Sequence, residues 1–120
     1  MLKKTIKYVD FEGNEREEVF HFNFTKAELT EMALSVDGGL EKQIHKIIAE
    51  QDMPKIIELF KRMILDSYGE KSPDGKRFVK SKELRDSFEQ TEAYSTLFME
   101  LVNDAVAASA FVNAITPQVK

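Results

Sequence analysis

The chain has no cysteine, so neither a disulfide framework nor a thiolate metal site can be built from it. That absence fits a reducing compartment. No apolar run approaches the length of a membrane span. The opening Met1-Leu2-Lys3-Lys4-Thr5 has two lysines but no apolar stretch behind them, so no signal peptide is expected. A cytosolic protein is the simplest expectation. Positive charge is not in excess: 17 Lys and Arg face 21 Asp and Glu, a formal net charge of −4. Nucleic acid is therefore not attracted by the chain as a whole. There is also no internal repeat and no low-complexity tract.

What is present is ordinary for a globular protein. An apolar share of 42% and a charged share of 32% argue against disorder of the whole chain. At 120 residues the chain is long enough for one core and one domain. The expected class is α+β: a mainly helical single domain with an N-terminal β-hairpin and about five to six helices. Residues 1–24 form the hairpin, 25–69 helices, 70–80 a connector and 81–116 the C-terminal helices.

In the hairpin, Ile6 and Tyr8 alternate with Lys7 and Val9, and Phe20, Phe22 and Phe24 alternate strictly. Three rings thus share one face of a strand. Glu12-Gly13-Asn14-Glu15 is expected to be the turn, with Gly13 and Asn14 at positive φ. A lone hairpin is marginal in water, so its aromatic face should lie on helices, or on a neighbouring subunit; packing on the chain's own helices is the favoured expectation.

Thr25-x-x-Glu28 is a capping box that starts the first helix, which runs to Asp37-Gly38-Gly39. Leu40, Ile44, Ile47 and Ile48 have the spacing of a second. Asp52 should cap a third, with Pro54 in its first turn and Ile56, Ile57, Phe60, Met63 and Ile64 as its stripe. Gly69 is its expected stop. Ser72-Pro73-Asp74-Gly75 has the preferences of a type I turn. Phe78 and Val79 anchor the connector or form a short extended segment.

Ser81 should cap a short helix containing Leu84 and Phe88. Thr91 should cap the next, with Tyr94, Leu97, Phe98, Leu101 and Val102 on one stripe. Asn103-Asp104 is a candidate break, Asp104 capping a last helix to Ile115, and Pro117 prevents much continuation. Met63 and Met99 lie on strong stripes and are expected in the core. Small residues (Ala105, Ala107, Ala108, Ser109, Ala110) would let another element approach the last helix closely. Phe111, Val112 and Ile115 add apolar surface there that either closes the core or meets a partner. With Phe78, they are the candidate partner-binding residues.

Catalytic chemistry finds no foothold. Serines and threonines occupy turn and cap positions. Gly38-Gly39 lacks the strand before it and the Lys-Ser/Thr after it that a phosphate loop needs. Glu41 and His45 share a helix face four residues apart, but two ligands do not make a metal site. His21 alternates with the phenylalanines and should lie on the polar face of the hairpin. No catalytic residue, cofactor or metal is expected, and the chain does not read as an enzyme.

Three blocks stand in order in the second half: Lys71-Ser72-Pro73-Asp74-Gly75-Lys76-Arg77-Phe78, Thr91-Glu92-Ala93-Tyr94-Ser95-Thr96-Leu97-Phe98, and Ala110-Phe111-Val112-Asn113-Ala114-Ile115. Tyr8-Val9-Asp10-Phe11-Glu12-Gly13-Asn14 and Phe22-Asn23-Phe24-Thr25-Lys26-Ala27-Glu28-Leu29-Thr30-Glu31-Met32 precede them. Together they resemble the tail assembly chaperones of long-tailed phages and prophages of Gram-positive hosts, over most of the chain.

The resemblance implies a non-enzymatic helper that binds the tape measure protein, keeps its apolar helices soluble and helps recruit tail tube subunits. It also implies a homo-oligomer in the host bacterial cytoplasm, absent from the mature virion, and a second, longer form made by ribosomal frameshifting. Two other classes compete. A nucleic-acid-binding regulator of phage or mobile-element origin would use the basic stretch from Lys71 to Arg85, although five acids interleave with it. An enzyme subunit completed by a partner would carry a bound metal or cofactor.

Overall fold

A computed structural model describes residues 1–34, 46 and 49–116. The expected stripe of Leu40, Ile44, Ile47 and Ile48, the Gly38-Gly39 joint, the Glu41/His45 pair and Pro117 lie outside the described residues. The elements are β1 (Leu2–Val9), β2 (Glu15–Phe22), α1 (Lys26–Leu34), α2 (Met53–Ser67), β3 (Tyr68–Lys71), β4 (Phe78–Val79), α3 (Lys82–Glu89), α4 (Glu92–Asn103) and α5 (Ala105–Ile115). The class is α+β, with the N-terminal antiparallel hairpin and five helices among the described residues.

β1 and β2 pair antiparallel from Leu2↔Phe22 to Val9↔Glu15. The turn between them is built by Asp10. Its carboxylate accepts from the N–H groups of Glu12 and Asn14, both at 2.9 Å, and from the Arg16 guanidinium. The Arg16 hydrogen bond, then the Asn14 N–H, hold the Asp10 carboxyl below its usual range. Gly13 has φ +84°, but Asn14 does not enter the left-handed region and Glu15 already belongs to β2. The expected turn is thus shifted: Asp10 ties both ends of the loop, so one left-handed residue is enough.

Local capping signals act as expected. Thr25 and Glu28 exchange backbone-to-side-chain bonds of 2.9 and 3.1 Å at the start of α1. The side chains of Asp52, Ser81, Thr91 and Asp104 accept from the first turns of α2, α3, α4 and α5. At Asp104 the chain bends by 116° between α4 and α5. No single described helix is long and apolar enough to cross a membrane.

Two expectations about α2 are corrected. Gly69 does not stop the helix: Tyr68 is already extended, with φ −68° and ψ 139°, and leads directly into β3. The Ser67 hydroxyl bonds back to the Met63 and Ile64 carbonyls, while the Ser67 carbonyl accepts from Asn23 N–H at 2.8 Å. Pairing with β2 draws the chain out of the helix. The apolar stripe is also displaced. Ile57 is 40% exposed, whereas Leu59 and Leu65 are buried with Met63 and Ile64. The last turns of α2 are enclosed because the chain continues into the sheet, and the first turn is not. Met99, expected in the core, is 49% exposed on α4.

The connector over residues 70–80 contains a second hairpin. Gly75 N–H bonds to the Ser72 carbonyl at 2.9 Å, closing the expected turn, and Ser72 N–H bonds to the Arg77 carbonyl. β3 pairs with β2 through His21↔Gly69 and Phe22↔Tyr68, so the sheet runs β1-β2-β3-β4. Gly69 is needed here for space. A Cβ built on it would stand 2.7 Å from both the Phe78 ring and the Val79 carbonyl oxygen.

One face of the sheet docks on the helices through rings. Phe22 is fully buried, with Tyr68 at 5.8 Å, Phe88 at 5.7 Å and Phe111 at 5.4 Å between centroids. Tyr68 stacks on Phe88 at 4.4 Å. Such pairs add to the area they bury. The aromatic face of the hairpin therefore rests on the chain's own helices. The two chain halves are also joined through the backbone, because Phe24 N–H donates to the Ile115 carbonyl at 2.8 Å.

Candidate functional site

Among the described residues, no group of three or more His, Asp or Glu side chains could hold a metal ion. His21 lies on the exposed side of β2. Burial first, then Lys3 and Lys71 nearby, push its imidazole below its ordinary value, which favours the neutral ring. A concavity of about 500 Å³ lies along the first hairpin and is lined by Lys7, Tyr8, Val9, Glu15, Arg16 and Glu17. It is open and rimmed by charge, and it brings no reactive pair together.

The basic stretch is partly consumed by the fold. Lys80 Nζ binds Glu28 at 2.6 Å and lies 4.8 Å from the centre of the Phe24 ring. Arg85 pairs with Asp66 at 3.3 Å. Asp74 accepts from the Ser72 hydroxyl and the Lys76 backbone N–H, which hold its carboxyl low and keep an anion inside the loop. Lys80 and Arg85 thus brace the fold, while Lys71, Lys76, Arg77 and Lys82 are exposed.

The feature suited to binding is an apolar groove of about 240 Å³ between β1 and the C-terminal helices. Leu2 and Lys4 form one wall from the inner face of β1. Leu101 of α4 and Ala107, Ala110, Phe111 and Ala114 of α5 complete it. The local reasons are plain. Alternation in β1 turns even-numbered residues inward. Helical spacing puts Ala107, Ala110 and Ala114 on one side of α5, where their short side chains leave a channel. The Asp104 cap fixes where α5 begins, with bonds of 3.0 and 3.1 Å to the N–H groups of Val106 and Ala107. Lys4 marks the rim and bonds Glu100 at 3.0 Å. Val106, one helical turn before Ala110, is 80% exposed.

The four candidate partner residues do not form one surface. Phe111 lies at the floor of the groove, only 5% exposed, with its ring against Phe22. Ile115 is fully buried, and Val112 is half-buried against the core. Phe78 is half-buried on β4, at the far edge of the sheet from β1. The small residues divide as well: Ala108 enters the core, while Ala107 and Ala110 line the groove. Sequence reasoning missed Leu2, Lys4 and Ala114. The alternation that placed Ile6 and Tyr8 inward, extended to the start of β1, would have found the first two.

A family model described as phage tail assembly chaperone matches residues 1–119. No curated protein and no solved structure matches the chain.

Proposed function

The chain belongs to the phage tail assembly chaperone family, and from that membership we propose that it holds apolar helices of the tape measure protein in solution while the tail is built. Such chaperones are generally non-enzymatic, act during assembly on other tail proteins and are not in general virion components. The observation that supports the finer role is the groove. Its alanines admit a helix backbone closely, its floor is aromatic, and its rim carries a charge pair that keeps the surface wetted. A helix laid there needs only one apolar face, as in other helix-in-groove contacts.

The same proposal extends to recruitment of tail tube subunits, self-association that covers the groove until a client arrives, and action in the host cytoplasm. It includes long-tailed phages of Gram-positive hosts as the setting and a frameshifted longer form as a second partner. Phe111 is the one candidate residue with a direct place in it, as the floor on which the client helix sits.

Co-expression with the tape measure protein of the same phage tests the proposal. The wild-type chain should raise the soluble fraction of the tape measure protein and co-purify with it. Ala110→Arg fills the groove from an exposed position and should abolish both effects without unfolding the chain. A client solubilised equally by Ala110→Arg would overturn the groove, and a client never solubilised would overturn the role.

A further inference from the structure

We propose that the free edge of β1 takes an acidic, extended segment of a partner protein as an additional strand. β1 is the outer strand of the sheet order β1-β2-β3-β4. Which of its backbone groups are free follows from the register. Asp10 N–H donates to the Asn14 carbonyl at the hairpin end. Antiparallel ladders alternate bonded and non-bonded pairs, so even-numbered residues of β1 bond to β2 in this register. The other edge of β2 agrees, because odd-numbered Asn23 bonds to Ser67 on the β3 side. The N–H and C=O groups of Lys3, Thr5, Lys7 and Val9 therefore point away from the sheet. All four residues are exposed, and no described residue makes a backbone hydrogen bond to that edge.

Charge selects the occupant. Residues 1–9 hold Lys3, Lys4 and Lys7 and no acid, in a chain whose net charge is −4. Lysine along an edge deters pairing with a like strand. Two copies of β1 side by side would bring six lysines and no acid into adjacent strands, so self-pairing at this edge is disfavoured. The strand that β1 already holds shows the complement: β2 carries Glu15, Glu17 and Glu18, with Glu17 directly opposite Lys7. A partner strand with acids at alternate positions would meet Lys3 and Lys7 on the outer face in the same way. The opposite edge, β4, is only two residues long and cannot compete. The β1 edge is distinct from the groove, which uses the inward side chains of Leu2 and Lys4.

The test uses the full chain and a fluorescent peptide of alternating glutamate and valine, as long as β1. Binding by fluorescence polarisation is expected, with none for the lysine–valine counterpart. Thr5→Pro removes one outward N–H without touching the β2 ladder and should weaken binding roughly two- to tenfold, the worth of one backbone hydrogen bond. Lys3→Glu with Lys7→Glu should reverse the preference toward the basic peptide. On the wild-type chain, the acidic peptide should slow amide exchange at Lys3, Thr5, Lys7 and Val9. Binding without that slowing, no binding, or tighter binding of an oligothymidine than of the acidic peptide would overturn the proposal.

Discussion

Gly69→Ala isolates one steric demand of the second hairpin. Gly69 does not need the left-handed region, so backbone freedom alone predicts that alanine stabilises the chain by about 0.4–1 kcal/mol through the unfolded state. Contacts predict the opposite. The new Cβ would lie 2.7 Å from Phe78 Cε2 and 2.7 Å from the Val79 carbonyl oxygen, about 0.7 Å inside the 3.4 Å at which ordinary contact begins. The ring can turn aside. The carbonyl cannot move without disturbing the Glu70↔Val79 pair. Overpacking of this kind costs about 1–3 kcal/mol, so the net loss should be about 1–2 kcal/mol, or roughly 5 °C in Tm for a domain of this size. Urea and thermal unfolding followed by circular dichroism measure it. Phe78→Leu in the Gly69→Ala background should recover only the ring's share, leaving the carbonyl's. Gly75→Ala is the contrasting control: nothing lies within 4 Å of its Cβ, and φ +74° alone should cost about 1 kcal/mol. A Gly69→Ala chain as stable as the wild type would refute the close packing of β4 on β3.

Phe111→Asp should unfold the chain, since a carboxylate would replace a ring packed on Phe22, and even truncation to alanine at such a site costs about 3–5 kcal/mol; Lys76→Ala should stay within about 0.5 kcal/mol, and equal melting curves for the two would remove Phe111 from the core. Asp104→Ala should cost about 1 kcal/mol by removing the cap of α5, measured by chemical denaturation, and should loosen the groove that starts at that bend. Burial pushes the Glu28 carboxyl up, but its bonds to Lys80 and the Thr25 N–H outweigh this and leave it below its ordinary value. A lowered folded-state value stabilises the chain above the unfolded value of 4.5, and that contribution is lost as pH falls through the folded one. Glu28→Gln should flatten that part of the stability–pH curve, and an unchanged acid slope would contradict the Lys80 bond.

Most helix starts were legible because the chemistry that sets them is local. Thr25, Asp52, Ser81, Thr91 and Asp104 each act within three residues of themselves. The strict alternation of Phe20, Phe22 and Phe24 likewise marked the strand face that meets the helices. Local signals failed where a distant partner decides. Gly69 resembles a helix stop until β2 and Phe78 are placed beside it. Ile57 and Leu59 stand two positions apart, on opposite sides of α2, and which side meets the core is decided by elements distant in the chain. The groove was only half legible: the alanines of α5 announced a close approach, but the opposing wall stands about a hundred positions earlier, at Leu2 and Lys4.

The bond from Phe24 N–H to the Ile115 carbonyl has a consequence for how the protein is made. Phe22 and Phe24 leave the ribosome early, and α5, which completes the cover over Phe22, follows about ninety residues later. At about 5–20 residues per second, the interval is roughly 5–20 s. Throughout it Phe22 lacks the Phe111 ring, although Tyr68 and Phe88 emerge sooner and cover it in part. The last ring of that cluster therefore closes only after α5 has emerged, so the hairpin's aromatic face is completed late in the making of the fold.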